Sequence, residues 1–107
     1  MEKLKFPHNP TLKQLQNYVK DLTKARGWDK NNDLELFLLF SEEVGELARA
    51  IRDYRGLYQE PGRDKTNLQE EFADVLSYLL DLANYFDIDL EEAMRKKEEK
   101  NARRTWN

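Results

Sequence analysis

The sequence of 107 residues contains no cysteine, one histidine, four glycines and three prolines. Without cysteine, the chain has neither a disulfide framework nor a thiolate metal site. No run approaches the roughly 18 apolar residues that a membrane span needs, and Met1 to Pro10 carries no signal-peptide apolar region. The formal net charge of −3 disfavours a protein that coats nucleic acid by bulk charge. We therefore expect a cytoplasmic protein that engages neither a membrane nor a nucleic acid polymer.

Helix-start patterns divide the chain into four segments. In each pattern an oxygen-bearing residue precedes Glu or Gln by three positions, as in a capping box. The four pairs are Thr11 with Gln14, Asn32 with Glu35, Thr66 with Gln69, and Asp89 with Glu92. They predict helices at about 11–26, 33–54, 67–86 and 89–103, with an exposed loop at 56–65. No segment alternates long enough to predict a strand, so the predicted fold is a single all-α domain, 1–107, built as a four-helix bundle.

Two acidic motifs of the same kind occur in the second and third predicted helices. They are Glu42-Glu43-x-x-Glu46 and Glu70-Glu71-x-x-Asp74. At about 100° per residue, the second acid of each motif falls among apolar residues, and the last acid falls at the rim of that apolar arc. Glu70 and Asp81 are predicted to lie outside the arc of the third helix. Acids are almost never fully buried without a partner or a cation.

Three interpretations compete for these acids: a solvated acidic face, pairing with buried basic residues, and a cation site. No Lys or Arg interrupts either apolar arc, which favours the cation. The predicted ligands are the carboxylates of Glu43, Glu46, Glu71 and Asp74. Oxygen donors suit Mg²⁺, Mn²⁺ or Ca²⁺ rather than Zn²⁺. A di-iron bundle would need Glu-x-x-His pairs, and the one histidine, His8, lies in a segment with Pro7 and Pro10.

The fourth predicted helix offers positive charge for a phosphate substrate. Lys97, Asn101 and Arg104 share one face by their i, i+4 and i+7 spacing. Hard cations held by carboxylates usually serve phosphate chemistry. The alternative is ordinary basic decoration of a helix C-terminus, which the helix dipole favours.

The double acidic motif resembles the signature of MazG-like nucleoside triphosphate pyrophosphohydrolases. The matching residues are Glu42-Glu43-x-x-Glu46 and Glu71-x-x-Asp74, and the resemblance extends from about Leu12 to Trp106. It implies an all-α, four-helix MazG-like bundle that assembles as a dimer or a dimer of dimers. It also implies metal-dependent hydrolysis of a nucleoside triphosphate between the α and β phosphates, which gives a nucleoside monophosphate and pyrophosphate.

The resemblance also implies roles for individual residues. The Mg²⁺ ligands are those named above, and the tail from Lys97 to Arg104 resembles the family's phosphate-binding tail. Trp28 and Tyr78 match aromatic residues near the nucleotide in relatives that resemble dCTP pyrophosphatases, although core packing is the alternative for both. Those relatives place another aromatic near the end of the second helix. Here that region reads Asp53-Tyr54, so base selectivity is not carried over.

Glu42 and Glu46 are the candidate general bases. A carboxylate among other carboxylates has a raised pKa and is able to take a proton from water. Glu42 also matches a further acid of the family, which holds another ion or positions water.

The sequence leaves two alternative functions open and predicts a homo-oligomer. The functions are a phosphoribosyl-ATP pyrophosphohydrolase, which has similar chemistry, and a non-catalytic helical interaction module. The segment Leu36–Phe40 is apolar on every side of its helix. A helix that is apolar all round is buried all round, so we expect the second helix to pack against a partner chain in a symmetric homodimer or homotetramer.

Overall fold

The computed structural model describes residues 4–58, 61–62 and 65–104. This part of the chain forms four helices and no strand: α1 (Leu12–Ala25), α2 (Asp33–Arg55), α3 (Leu68–Tyr85) and α4 (Leu90–Arg103). The predicted all-α class is confirmed, and each helix boundary lies within one residue of its predicted position. Residues 59–60 and 63–64 of the predicted loop, and Trp106 at the end of the family resemblance, lie outside the described residues. None of the described helices is both long enough and apolar enough to cross a membrane.

Three of the four predicted helix starts are confirmed. α1 and α2 each begin with a reciprocal capping box, in which the cap side chain and the side chain three residues later each accept a backbone N–H. α4 begins at Asp89, whose carboxylate accepts the backbone N–H of Glu92 at 3.1 Å. These contacts satisfy N–H groups that have no partner within a first helical turn.

The predicted start of α3 at Thr66 is wrong. Asn67 caps α3 instead, and its side chain accepts the backbone N–H of Glu70 at 3.1 Å. The backbone N–H and the hydroxyl of Thr66 both donate to Oδ2 of Asp53, at 3.1 and 2.9 Å. Asp53 is only 7% exposed. This buried contact joins the end of α2 to the start of α3, so the two helices run antiparallel.

Gln16 of α1 fixes the junction between α3 and α4. Its side chain donates to the carbonyl of Ile88 at 2.5 Å and accepts the backbone N–H of Leu90 at 3.1 Å. The backbone carbonyl of Gln16 accepts a hydrogen bond from the side-chain amide of Asn84 at 2.9 Å. These bonds hold the end of α3 and the start of α4 against the first half of α1.

The core is small and is contributed by the first three helices. α2 packs chiefly on α3, α3 also packs on α1, and α4 packs mainly on α1. The buried apolar residues are Val19, Leu36, Ala50, Leu80 and Ala83. Because α1, α2 and α3 meet around this core, residues on their inner faces are the ones that build the site.

Much apolar surface stays exposed on the α2–α3 pair. Leu36 is buried, whereas its neighbour Leu38 is 68% exposed. We call the following four residues, each more than half exposed, the apolar face: Leu34, Phe37, Leu38 and Phe72. The single chain therefore does not bury α2 all round, and burial by a partner chain stays a prediction.

Candidate metal and substrate site

Three of the four predicted metal ligands converge where α2 faces α3. Glu43, Glu71 and Asp74 each present a carboxylate oxygen, and these oxygens lie within 4.8 Å of one another. Glu43 and Glu71 are partly buried, and Asp74 is exposed. One oxygen of Glu71, Oε2, is buried and accepts no hydrogen bond. A buried acceptor without a donor is destabilising, so the three carboxylates, which we call the acidic cluster, are placed to bind a cation.

The electrostatics of the acidic cluster point the same way. Burial is the largest cause that raises the pKa of Glu43 from its ordinary value of 4.5, followed by the negative charges of Asp74 and Glu71. The charges of Glu46 and Glu42 raise the same pKa further. A bound cation would offset this repulsion. Since the cluster offers only carboxylate oxygens, its residues fit Mg²⁺ or Mn²⁺ rather than a soft metal.

The fourth predicted ligand, Glu46, is not part of the acidic cluster. Its Oε2 lies 3.4 Å from Nη2 of Arg49, one turn along α2, and both side chains are partly exposed. This pair is a partly exposed contact within one helix and not the pairing with a buried basic residue that the sequence left open. Glu42 is exposed. The charges of both residues act on Glu43, and their roles in catalysis and metal binding stay predictions.

A cavity of about 570 Å³ adjoins the acidic cluster. Its walls come from α1, from the loop that joins α1 to α2, and from α2 and α3; Glu43 and Asp74 belong to the lining. Tyr78 lines it from α3, and burial is the first cause that raises its pKa, before the charges of Glu43 and Asp74. Apolar walls with a few polar groups are typical of small-molecule sites.

Trp28 lines the same cavity from the α1–α2 loop. Its side chain is 55% exposed, so it does not belong to the core. The guanidinium carbon of Arg26 lies 4.9 Å from the centre of the Trp28 ring, a cation–π contact that holds the indole in place. An exposed, oriented aromatic ring at a cavity wall is able to stack on a planar base.

Several lining residues were missed by sequence reasoning. Arg26, Lys30 and Asn31 line the cavity from the α1–α2 region, where no motif marks them. Asp81, predicted to lie outside the apolar arc of α3, lines the cavity as well. Its place outside that arc is compatible with the cavity, because the arc was centred on Glu71 and the lining also includes residues of α1. The i, i+4, i+7 spacing of Asp74, Tyr78 and Asp81 was the available signal.

The predicted phosphate-binding residues of α4 do not line the cavity of this chain. Lys97 and Arg104 are exposed, and Asn101 is half-buried. Arg104 follows the last helical residue as the C-cap, with an extended backbone. α4 packs mainly on α1 rather than on the pair that carries the acidic cluster. The phosphate-binding role of the three residues stays a prediction.

Comparison with known families bears directly on this site. Residues 32–107, which include every member of the acidic cluster, match the MazG nucleotide pyrophosphohydrolase domain. The chain belongs to this family. The resemblance drawn from the two acidic motifs is thereby confirmed, and with it the broad class of nucleotide pyrophosphohydrolases.

Individual proteins are similar to this chain over most of its length. YvdC of Bacillus subtilis is 31% identical over 105 residues, which cover 87% of this chain and 94% of YvdC. Human dCTP pyrophosphatase 1 is 34% identical over 111 residues, which cover 92% of this chain but 61% of the human protein, less than two thirds of its length. The crystal structure of YpjD from Bacillus subtilis superposes with a TM-score of 0.75 at 32% identity, over 91% of this chain and 98% of YpjD.

Proposed function

We propose that this protein is a Mg²⁺-dependent nucleoside triphosphate pyrophosphohydrolase that releases a nucleoside monophosphate and pyrophosphate. The observation that carries the proposal is the acidic cluster, whose oxygens lie within 4.8 Å of one another beside a cavity of about 570 Å³. Carboxylate-bound hard cations usually serve phosphate chemistry. Membership of the MazG nucleotide pyrophosphohydrolase family supports the same reaction class.

Different carboxylates of the chain are proposed to bind the cation and to accept the proton. Glu43, Glu71 and Asp74 would hold the cation, and Mn²⁺ would substitute for Mg²⁺. When bound, such a cation supplies positive charge against the phosphate oxygens and favours the ionisation of water. A carboxylate oxygen of Glu46 or Glu42 is the proposed acceptor of the proton from the attacking water. Arg49, 3.4 Å from Glu46, orients that carboxylate.

Aromatic and basic side chains are proposed to bind the rest of the substrate. Trp28 and Tyr78 both line the cavity and would stack on the nucleoside. Lys97, Asn101 and Arg104 remain the proposed phosphate ligands, and Lys97 and Arg104 are exposed to solvent. The name of the similar human protein, dCTP pyrophosphatase 1, supports a deoxynucleoside triphosphate as one candidate substrate.

The test is product analysis on a panel of ribo- and deoxyribonucleoside triphosphates, with and without Mg²⁺. We expect pyrophosphate and monophosphate in equal amounts, only when Mg²⁺ is present. Glu71→Gln should abolish turnover, whereas Glu70→Gln, an exposed acid beside it, should not. Release of orthophosphate with a nucleoside diphosphate left behind would contradict the proposal. Turnover of phosphoribosyl-ATP alone would favour a phosphoribosyl-ATP pyrophosphohydrolase. No turnover of any nucleotide, with or without Mg²⁺, would favour a non-catalytic interaction module.

A further inference from the structure

Asp81 is an acid in the cavity that the proposed chemistry does not use. It lies on the same face of α3 as Asp74 and Tyr78, and all three line the cavity. At 1.5 Å of rise per residue, Asp81 lies about 10 Å along the helix axis from Asp74. The sugar and α-phosphate of a nucleotide can bridge such a separation. A nucleotide with its phosphates at the acidic cluster can therefore place its base beside Asp81.

The described part of the chain gives Asp81 no partner. Within the described part of the chain, its carboxyl makes no hydrogen bond or ion pair. Burial raises the pKa of Asp81, and the negative charge of Asp81 helps to raise the pKa of Tyr78 one turn away. Asp81 is half-buried, so its carboxyl is only partly hydrated, and no donor in the described part of the chain replaces the lost water. Stability of the fold therefore does not explain this residue, whereas a donor on a bound ligand would.

We propose that Asp81 is a specificity-determining residue that accepts a hydrogen bond from an exocyclic amino group of the substrate's base. The inference rests on the proposed function, because it needs a nucleotide in the cavity. Carboxylates accept from the N4 amino group of cytosine. Uracil presents a carbonyl oxygen at the same position, which repels a carboxylate. Asp81 thus selects a cytosine-type base over uracil, while Tyr78 and Trp28 contact the ring without distinguishing the two.

The experiment compares kcat/KM for dCTP and dUTP, which differ at the position that Asp81 would contact, with dATP as an amino-bearing purine. We expect the wild-type protein to prefer dCTP over dUTP by about 10- to 100-fold. Asp81→Asn should lower that ratio at least about tenfold, since an amide also donates to the uracil oxygen. Asp21→Asn, an exposed acid of α1 outside the cavity, is the matched control and should leave the ratio unchanged.

The outcomes separate this inference from the proposed function. If both nucleotides are hydrolysed equally well, or if Asp81→Asn keeps the wild-type ratio, the inference is overturned and the proposed function stands. If neither is hydrolysed, binding of the uncleavable α,β-imido analogues of dCTP and dUTP tests the inference by itself. A preference for cytosine that Asp81→Asn removes supports the inference, and equal binding overturns it, while the full nucleotide panel decides the proposed function. Asp81→Ala replaces Asp81→Asn if the latter does not fold. The ratio of kcat/KM for dCTP to that for dUTP in the wild-type protein tests the inference without any variant.

Discussion

At the scale of a single residue, Glu71 is a partly buried acid whose surroundings do not satisfy it. Its Oε2 atom is buried without a hydrogen-bond donor, and its carboxylate shares a small space with those of Glu43 and Asp74. Burial and then the charges of Asp74 and Glu71 raise the pKa of Glu43 in this cluster. A cation that binds only the native state stabilises it according to its concentration relative to its dissociation constant.

Mg²⁺ is therefore expected to stabilise the wild-type protein against heat. At a concentration a hundred times its dissociation constant, the gain is about 2.7 kcal/mol, which raises the Tm by about 10 °C in a domain of this size. Glu71→Gln should remove this response and keep the helical circular dichroism signal. The control is Glu70→Gln, which should melt like the wild type in both conditions. Identical wild-type melts in millimolar Mg²⁺ and in excess chelator, at neutral pH, would contradict the cation site.

At the scale of elements, the α2–α3 hairpin holds the acidic cluster together. The two halves of the cluster lie on different helices, so their separation depends on how α2 and α3 are joined. Asp53 makes that connection through two bonds from Thr66, at 2.9 and 3.1 Å, in a buried position. A buried donor that loses its acceptor costs more stability than an average hydrogen bond contributes.

Asp53→Ala should consequently destabilise the protein more than Thr66→Val does. The first change removes the acceptor of both bonds and should cost about 1–3 kcal/mol, whereas the second removes only the hydroxyl bond and should cost about 1 kcal/mol. Urea unfolding at one fixed protein concentration measures both. Asp21→Ala, at an exposed position on α1, should change the free energy of unfolding by less than about 0.5 kcal/mol. Equal losses for the two test variants would contradict the role of Asp53 in joining α2 to α3.

At the scale of the whole molecule, the exposed apolar face is the feature that one chain does not explain. Leu34 and Leu38 are 74% and 68% exposed on α2, and Phe72 is 55% exposed on α3. Single exposed apolar residues are ordinary, but a group on a packed helix pair marks an interaction surface. Because α2 and α3 also carry the acidic cluster, a symmetric contact between two copies would brace the cluster from its outer side.

We expect the wild-type protein to be a dimer or a tetramer at micromolar concentration. Leu38→Glu places a charge in the apolar face and should shift the mass measured by light scattering to that of the monomer. Tyr58→Glu adds the same charge at a position that is 82% exposed after the end of α2, outside the apolar face, and should leave the mass unchanged. A monomeric wild-type mass would overturn the expected assembly.

The helices and the acidic motifs were determined by the sequence alone. Capping side chains act on backbone groups within one turn, and apolar periodicity acts along one helix, so each boundary lies within one residue of its prediction. The direction of Glu43, Glu71 and Asp74 around their own helices was predictable for the same reason, whereas their convergence depends on how α2 and α3 pack. Family membership followed from the same motif.

Only the tertiary structure decided which neighbour each side chain meets. Thr66 gave up the predicted cap because Asp53, distant in sequence, takes both of its donors. Asp81 is a cavity residue because side chains of α1 line the same space. A position on a helix fixes the direction of a side chain, but the packing of α1, α2 and α3 fixes what lies in that direction. Local rules therefore predict the elements, whereas the shape of the cavity depends on contacts between residues far apart in the chain.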